Sequence, residues 1–79
     1  MEIFVISDCE KKEVKVNVNP EDTVVSLQYK LSEIFNIPVN CQALVMNGQL
    51  IDDSKNLKES GVQNGAKIEV INFVFEIKL

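Results

Sequence analysis

Hydrophobic residues recur at every second position in the first part of the chain. This period is typical of strands that bury one face. Residues 7–13 are polar and suit a loop, so the two flanking strands are predicted to pair antiparallel. The alternating positions are Ile3, Val5, Val14, Val16 and Val18.

The period then changes to that of a helix. Thr23 is a suitable N-cap, and the acidic residues Glu21 and Asp22 just before it favour the helix dipole. Asn36 tolerates a left-handed conformation and Pro38 cannot continue a helix, so the helix is predicted to end near Phe35. The predicted buried face comprises Val24, Leu27, Leu31 and Ile34, and the opposite face Gln28, Lys30 and Glu33.

The second half of the chain predicts three more strands. Residues 42–46 form a short apolar run, and Asn47-Gly48 is a strong hairpin signal because both central residues of a type I′ turn need positive φ. Residues 49–51 are the predicted return strand. Residues 52–66 form a polar loop, in which Leu57 and Val62 are expected to contact the core. Residues 67–79 have the composition of a last strand.

The predicted order is strand, strand, helix, strand, short strand, loop and strand. One helix across one mixed sheet is an α+β architecture. Seventy-nine residues make one small domain. We divide it into a core, 1–72, and a segment, 73–79, that either extends the last strand or begins the link to the rest of a larger protein.

Composition and charge exclude several function classes. The formal net charge is −4, which disfavours nucleic-acid binding, and no apolar run has the length of a membrane span. The chain has no histidine and no CxxC motif, so the usual zinc patterns are absent, and we expect no cofactor. We interpret Cys9 and Cys41 as free thiols and expect a cytoplasmic or nuclear protein.

Candidate catalytic groups are few. The paired carboxylates 21–22 and 52–53 suit helix capping and solvated surface better than a metal site. Ser54, Ser60 and Cys41 have no histidine base that could activate them. We therefore predict that the domain is not an enzyme.

The order of elements and several motifs resemble ubiquitin and its family. The motifs are MEIFV at 1–5, PEDTV at 20–24, Ile37-Pro38, and QALVMNG at 42–48. The resemblance covers nearly the whole chain, with one extra residue in the first hairpin. It implies the β-grasp fold, a mixed sheet of about five strands with one helix packed across it.

Every position that is buried in the family carries an aliphatic residue here. This agreement does not depend on surface identity, so it supports the fold independently of the motifs. The positions are Ile3, Val5, Val14, Val16, Val18, Val24, Leu27, Leu31, Leu44, Ile51, Leu57, Val62, Ile68 and Val70.

Family members that are conjugated to targets end in two glycines, whereas the sequence here ends in FEIKL. The resemblance also places Gln28, Ile34, Gln49 and Asn64 where ubiquitin has lysines that support chains. A conjugated modifier with its tail missing is therefore a secondary hypothesis.

The resemblance also implies a binding surface on the sheet face opposite the helix. Val45 and Ile71 preserve apolar contacts, Gly48 lies at the edge, and Cys9 falls there if the longer hairpin permits. Glu69 stands where ubiquitin has a histidine. Because many partner helices of this surface have acidic flanks, we expect weaker binding to usual receptors, a preference for more basic partners, or binding to ubiquitin itself.

Strand alternation places a second apolar row beside that surface. With Ile68 and Val70 facing inward, the outward row is Glu69, Ile71, Phe73, Phe75, Ile77 and Leu79. A stripe of this kind rarely remains exposed to water. It can extend the binding surface, mediate self-association, or pack on the following segment of a parent protein.

We therefore expect a non-catalytic interaction module, a ubiquitin-like domain at the amino terminus of an adaptor or shuttle in the ubiquitin–proteasome system. Its expected partners are proteins, either a proteasomal ubiquitin receptor or ubiquitin. The alternative is a domain that packs within a larger protein and regulates it, including an enzyme such as an aspartyl protease of the DNA-damage-inducible type. Fold alone does not choose between these functions.

Overall fold

Five strands and one α-helix make up the part of the chain that the computed structural model describes, residues 1–8 and 10–73. In chain order, the elements are β1 (Glu2–Ser7), β2 (Glu13–Asn17), α1 (Val24–Phe35), a 3₁₀ helix (Val39–Cys41), β3 (Gln42–Met46), β4 (Gln49–Leu50) and β5 (Lys67–Asn72).

The first two strands form the predicted antiparallel hairpin. Ile3 lies opposite Val16 and Val5 opposite Val14. Ile3, Val5 and Val16 are buried, whereas Val14 is only half-buried and packs at the margin of the core. Among the strands of the described residues, β2 lies at the edge of the sheet, so none of them covers Val14 on its outer side.

Helix α1 has the predicted bounds, with a partly different buried face. The Ser26 N–H donates to Thr23 Oγ1 at 3.1 Å, and Asn36 ends the helix with φ 57°. Ile34 is 40% exposed and Phe35 is 4% exposed, so the assignment of Ile34 to the core was wrong. At about 100° per residue, Phe35 lies within about 20° of Val24 around the axis and Ile34 about 80° away.

Gln28 was also assigned to the wrong side of α1. It is 6% exposed and lies within the buried stripe. The Gln42 side chain is held beside it, because its Nε2 donates to the backbone carbonyl of Gln28 at 2.9 Å and to that of Ile37 at 3.0 Å. Two acceptors fix the amide orientation, so Gln42 connects α1, the segment after it and the start of β3.

The turn between β3 and β4 is the tight one that the sequence predicts. Asn47 and Gly48 have φ of 54° and 75°, as a type I′ turn requires. The turn sets Met46 opposite Gln49 and Val45 opposite Leu50. The strand ends at Leu50, one residue earlier than predicted, although the N–H of half-buried Ile51 still donates to the Leu44 carbonyl at 2.8 Å.

Two buried residues hold the long loop against the core, as predicted. Leu57 is 0% exposed and Val62 is 4% exposed. The Leu57 N–H donates to the Asp22 carbonyl at 2.9 Å, and the Val24 N–H donates to the Lys55 carbonyl at 3.0 Å. The loop is therefore joined to the entry of α1 by backbone hydrogen bonds as well as by apolar contacts.

The strand order is β2-β1-β5-β3-β4, with β5 parallel to β1 and antiparallel to β3. This mixed sheet with α1 packed across it confirms the α+β, β-grasp prediction. Phe35 and Ile37 join the predicted core from the end of α1 and the segment after it.

Candidate functional site

The sheet face opposite α1 carries a group of partly covered apolar side chains. On β1, Ile3, Val5 and Ser7 are buried beneath the sheet, so Phe4 and Ile6 lie on the other side. On β3 and β5 the same alternation exposes three further residues. We call this surface the outer face and define it by Phe4, Ile6, Val45, Glu69 and Ile71; its apolar members are half-buried and Glu69 is exposed.

Three neighbouring strands place an acidic residue between two apolar ones. Ile6 of β1 lies beside Glu69 of β5, and Glu69 lies opposite Val45 of β3. Cross-strand partners share a face of the sheet, so these side chains form one row. Glu13 of β2 lies opposite Ile6 and adds a second exposed carboxylate at the β2 end of this row.

The row next to it is basic. Phe4 lies between Lys15 of β2 and Lys67 of β5. Lys15 Nζ forms a 3.0 Å salt bridge with Glu2 Oε2, which offsets part of this positive charge. The outer face therefore has an acidic end around Glu69 and a basic end around Phe4.

The structure brings most of the predicted site residues together. Val45 and Ile71 are half-buried on the outer face, Glu69 lies on the same strand as Ile71 and opposite Val45, and exposed Gly48 is in the adjacent turn. Phe73 follows β5 and is 48% exposed. Their role in binding stays a prediction.

The remaining predicted members, Cys9, Phe75, Ile77 and Leu79, lie outside the described residues. Cys41, by contrast, is described and is a free, half-buried cysteine.

Sequence reasoning missed three members of this surface and its margin. Phe4 and Ile6 alternate with buried Ile3 and Val5, so the period of β1 already carried the signal. Leu50 is 71% exposed and pairs with Val45. A two-residue turn at Asn47-Gly48 fixes that pairing, so the hairpin register could have identified Leu50.

The paired carboxylates Asp52 and Asp53 lie in a surface loop that is held by hydrogen bonds. Asp52 Oδ1 accepts from the Ser54 N–H at 2.9 Å and from Ser54 Oγ at 2.7 Å. The hydrogen bond from the Ser54 N–H is the largest cause that lowers the pKa of Asp52 below its ordinary value, and the hydrogen bond from the Ser54 hydroxyl is the next. The charge of Lys55 has a smaller effect in the same direction. Within residues 1–8 and 10–73, no three acidic, cysteine or histidine side chains are grouped to hold a metal ion.

Across the same described ranges, no helix has the length and apolar character needed to cross a bilayer.

The sheet order, helix α1 packed across the sheet and the outer face together define a ubiquitin-like domain. The family model described as Ubiquitin family matches residues 3–72, and the chain belongs to this family. Ubiquitin-like domains generally mediate protein–protein interactions and are generally non-catalytic.

A curated relative shows similarity over much of the chain. It is an Arabidopsis thaliana protein named as containing LRR repeats and a ubiquitin-like domain, 33% identical over 57 residues. The match covers 72% of this chain and 15% of that protein. The chain therefore corresponds to a small part of that relative's length.

Proposed function

We propose that this domain is a non-catalytic module that binds proteins through its outer face, within an adaptor or shuttle of the ubiquitin–proteasome system. The partner is a proteasomal ubiquitin receptor or ubiquitin itself, met in the cytoplasm or the nucleus. The observation that carries the proposal is the set of four half-buried apolar residues, from three strands, around exposed Glu69.

The apolar members supply the affinity. Phe4, Ile6, Val45 and Ile71 are neither covered by α1 nor fully exposed, so a partner can still remove apolar surface from water. Covering the exposed part of one such side chain contributes about 1 kcal/mol, and four such side chains around Glu69 support weak to moderate binding. This fits a reversible recognition module.

Glu69 supplies selectivity. Its carboxylate lies between Ile6 and Val45, so a partner that covers this row brings its own side chains close to a negative charge. An acidic partner side chain at that point is repelled, and a basic one is attracted. This supports a partner whose contact surface carries lysine or arginine near its apolar centre.

Two comparisons support the proposal that the domain belongs to a larger protein, namely its family and the curated relative. The relative's name joins a ubiquitin-like domain to LRR repeats, and the matched region is 15% of its length. A domain of this family that is a part of a longer chain can bring the rest of that chain to its partner, which is the work of an adaptor.

The test is an amide NMR titration of the labelled domain with ubiquitin and, separately, with a proteasomal ubiquitin-receptor fragment. We expect shifts at Val45, Gly48 and the residues of β5 near Glu69 with at least one of them. Val45→Asp should abolish these shifts because it places a charge in the apolar row. Glu69→Lys, at an exposed position, should exchange the preference between basic and acidic partners.

The matched control is Val25→Asp. Val25 is 37% exposed on α1, on the other side of the sheet, so the same change there should leave binding unaltered. Loss of binding in both valine variants would indicate a general effect of charge or folding. Unchanged binding in Val45→Asp, or shifts restricted to α1, would remove the outer face as the binding site.

A further inference from the structure

A groove of about 450 Å³ lies at the β4 edge of the sheet, next to the outer face. We call it the edge groove and define it by Ala43, Leu50, Asp52, Asp53 and Phe73. The side chains come from β3, from the end of β4, from the loop that follows it and from the residue after β5.

The apolar part of the edge groove is unusually exposed. Leu50 is 71% exposed and Phe73 is 48% exposed, and both are among the most exposed large apolar side chains of the described residues. Ala43 is on β3, between β4 and β5, and its side chain is only a methyl group, which leaves room for the groove between Leu50 and Phe73. Exposed apolar groups that line one concave surface are typical of a contact site, whereas scattered ones are not.

The backbone holds these two side chains in place. Leu50 is paired with Val45 through the tight turn, and the Phe73 N–H donates to the Cys41 carbonyl at 2.7 Å. The end of β5 and the start of β3 are thus joined beyond the last strand residue. The groove is therefore a property of the folded sheet and does not depend on an exposed loop alone.

The rim of the edge groove is acidic. Asp52 and Asp53 are exposed neighbours, and Asp52 is ordered by its two hydrogen bonds from Ser54. The salt bridges found among residues 1–8 and 10–73 join Lys11 to Asp8 and Lys15 to Glu2, so neither rim carboxylate is paired with a cation there. Two adjacent carboxylates beside an apolar surface attract a basic group.

We propose that the edge groove binds a segment of another protein in which apolar side chains lie beside lysine or arginine. The apolar groups contact Leu50 and Phe73, and the basic groups pair with Asp52 and Asp53. The formal net charge of −4 opposes the approach of a second copy of this chain, although its outer face carries lysines beside Phe4, so a segment of another protein is favoured.

Leu50 pairs with Val45 and Ala43 with Ile71, so the edge groove adjoins the outer face on the same side of the sheet. The proposal therefore rests on the proposed function and extends that binding surface to Asp52 and Asp53, whose contacts distinguish it from binding at the outer face alone.

The test uses three capped peptides titrated into the labelled 79-residue chain at low salt. GSKRLFKRSG carries both features, GSEELFEESG reverses the charge, and GSKRSSKRSG lacks the apolar pair. We expect saturable amide shifts at Leu50, Asp52 and Asp53 with the first peptide only. Raising the salt concentration should weaken this binding, because exposed charges are screened.

Two variants separate the contributions. Asp52→Asn with Asp53→Asn should weaken binding about fivefold, the size expected for two exposed ion pairs. The control Glu21→Gln with Glu33→Gln removes the same charge from exposed positions elsewhere and should change binding less than about twofold. Leu50→Ala should weaken binding about fivefold or more because it removes an apolar contact.

Three results would overturn the proposal. The first is the absence of shifts at Leu50, Asp52 and Asp53 with the basic apolar peptide, and the second is equal shifts with the acidic peptide. The third is a set of NMR contacts between Leu50 and residues 74–79 that the peptide does not displace, because the chain itself would then cover the groove. Shifts confined to Val45 and Ile71 would support the outer face and reject the edge groove.

Discussion

Leucine residues in this chain occupy very different environments. Leu57 is 0% exposed although it lies in a loop without regular secondary structure, whereas Leu50 is 71% exposed although it lies in a strand. The contribution of each residue to stability therefore follows from what the fold places around it. Membership in a strand or a loop does not decide it.

These two leucines make a matched prediction. Leu57→Ala should lower the free energy of unfolding by about 2–5 kcal/mol, because a buried side chain is lost and a cavity remains. Leu50→Ala should change it by less than about 0.5 kcal/mol. Chemical denaturation of both variants checks this, and equal effects would contradict the burial of Leu57.

Asp52 allows a prediction about pH. Its pKa is lowered by hydrogen bonds from Ser54, the backbone N–H first and the hydroxyl second. Ser54→Ala removes the hydroxyl and keeps the N–H, so the pKa of Asp52 should rise part of the way to its ordinary value. NMR titration of the Asp52 side-chain carboxyl carbon in the unaltered and variant chains measures this.

The sign of the accompanying stability effect follows from the lowered pKa. A carboxyl group with a lower pKa in the folded protein stabilises the fold above its unfolded pKa and loses that contribution as the pH falls through the folded pKa. Asp52 is exposed, so the effect should be small and confined to acid pH. A pKa for Asp52 that is unaltered in Ser54→Ala would contradict a role for the hydroxyl.

At the scale of single residues, the sequence predicted the core well and the surface less well. Most of the aliphatic residues named from the family are buried, while Val14 and Ile51 are half-buried at its margin. The assignment of Ile34 to the buried face of α1 was wrong, because four apolar residues at helical spacing fit more than one stripe along the helix. Only the sheet beneath α1 decides that Phe35 points inward.

Elements follow local signals closely. The bounds of α1, the positive φ of Asn36 and the turn at Asn47-Gly48 agree with the sequence predictions. Capping and turn chemistry act over three or four residues, so they can be read without knowledge of the fold. The 3₁₀ helix Val39–Cys41 carried no such signal and was not predicted.

The N-cap of α1 can be tested directly. Thr23→Ala should lower the free energy of unfolding by about 1 kcal/mol, because the Ser26 N–H loses its acceptor at 3.1 Å. Thr23→Ser keeps a hydroxyl at the same position and should retain most of the stability. If thermal denaturation shows the serine variant to be as unstable as the alanine variant, the methyl group and not the cap is responsible.

For the whole molecule, the position of β5 is the main organising feature. It lies between β1 and β3 and pairs with both, so the first and last described strands are neighbours at the centre of the sheet. Contacts between residues far apart in sequence form only when most of the chain is folded. The centre of the sheet should therefore open only with global unfolding.

Hydrogen exchange checks this arrangement with two similar hydrogen bonds. The Phe4 N–H donates to the Ala66 carbonyl at 2.9 Å in the centre of the sheet, and the Ile51 N–H donates to the Leu44 carbonyl at 2.8 Å near its edge. The exchange free energy of Phe4 should approach that of global unfolding, and that of Ile51 should be lower by about 2 kcal/mol or more. Equal protection of both amides would contradict a weaker edge.

The sequence by itself determined the elements, their order and most of the core, because periodicity, caps and turns act between residues close in the chain. The family resemblance added the expected surface around Val45 and Ile71. Only the tertiary structure set Ile6 beside Glu69 and brought Leu50, Asp52 and Phe73 around one groove. Ile6 and Glu69, like Leu50 and Phe73, come from distant segments, and their proximity depends on which strands pair and in which register, which no local pattern specifies.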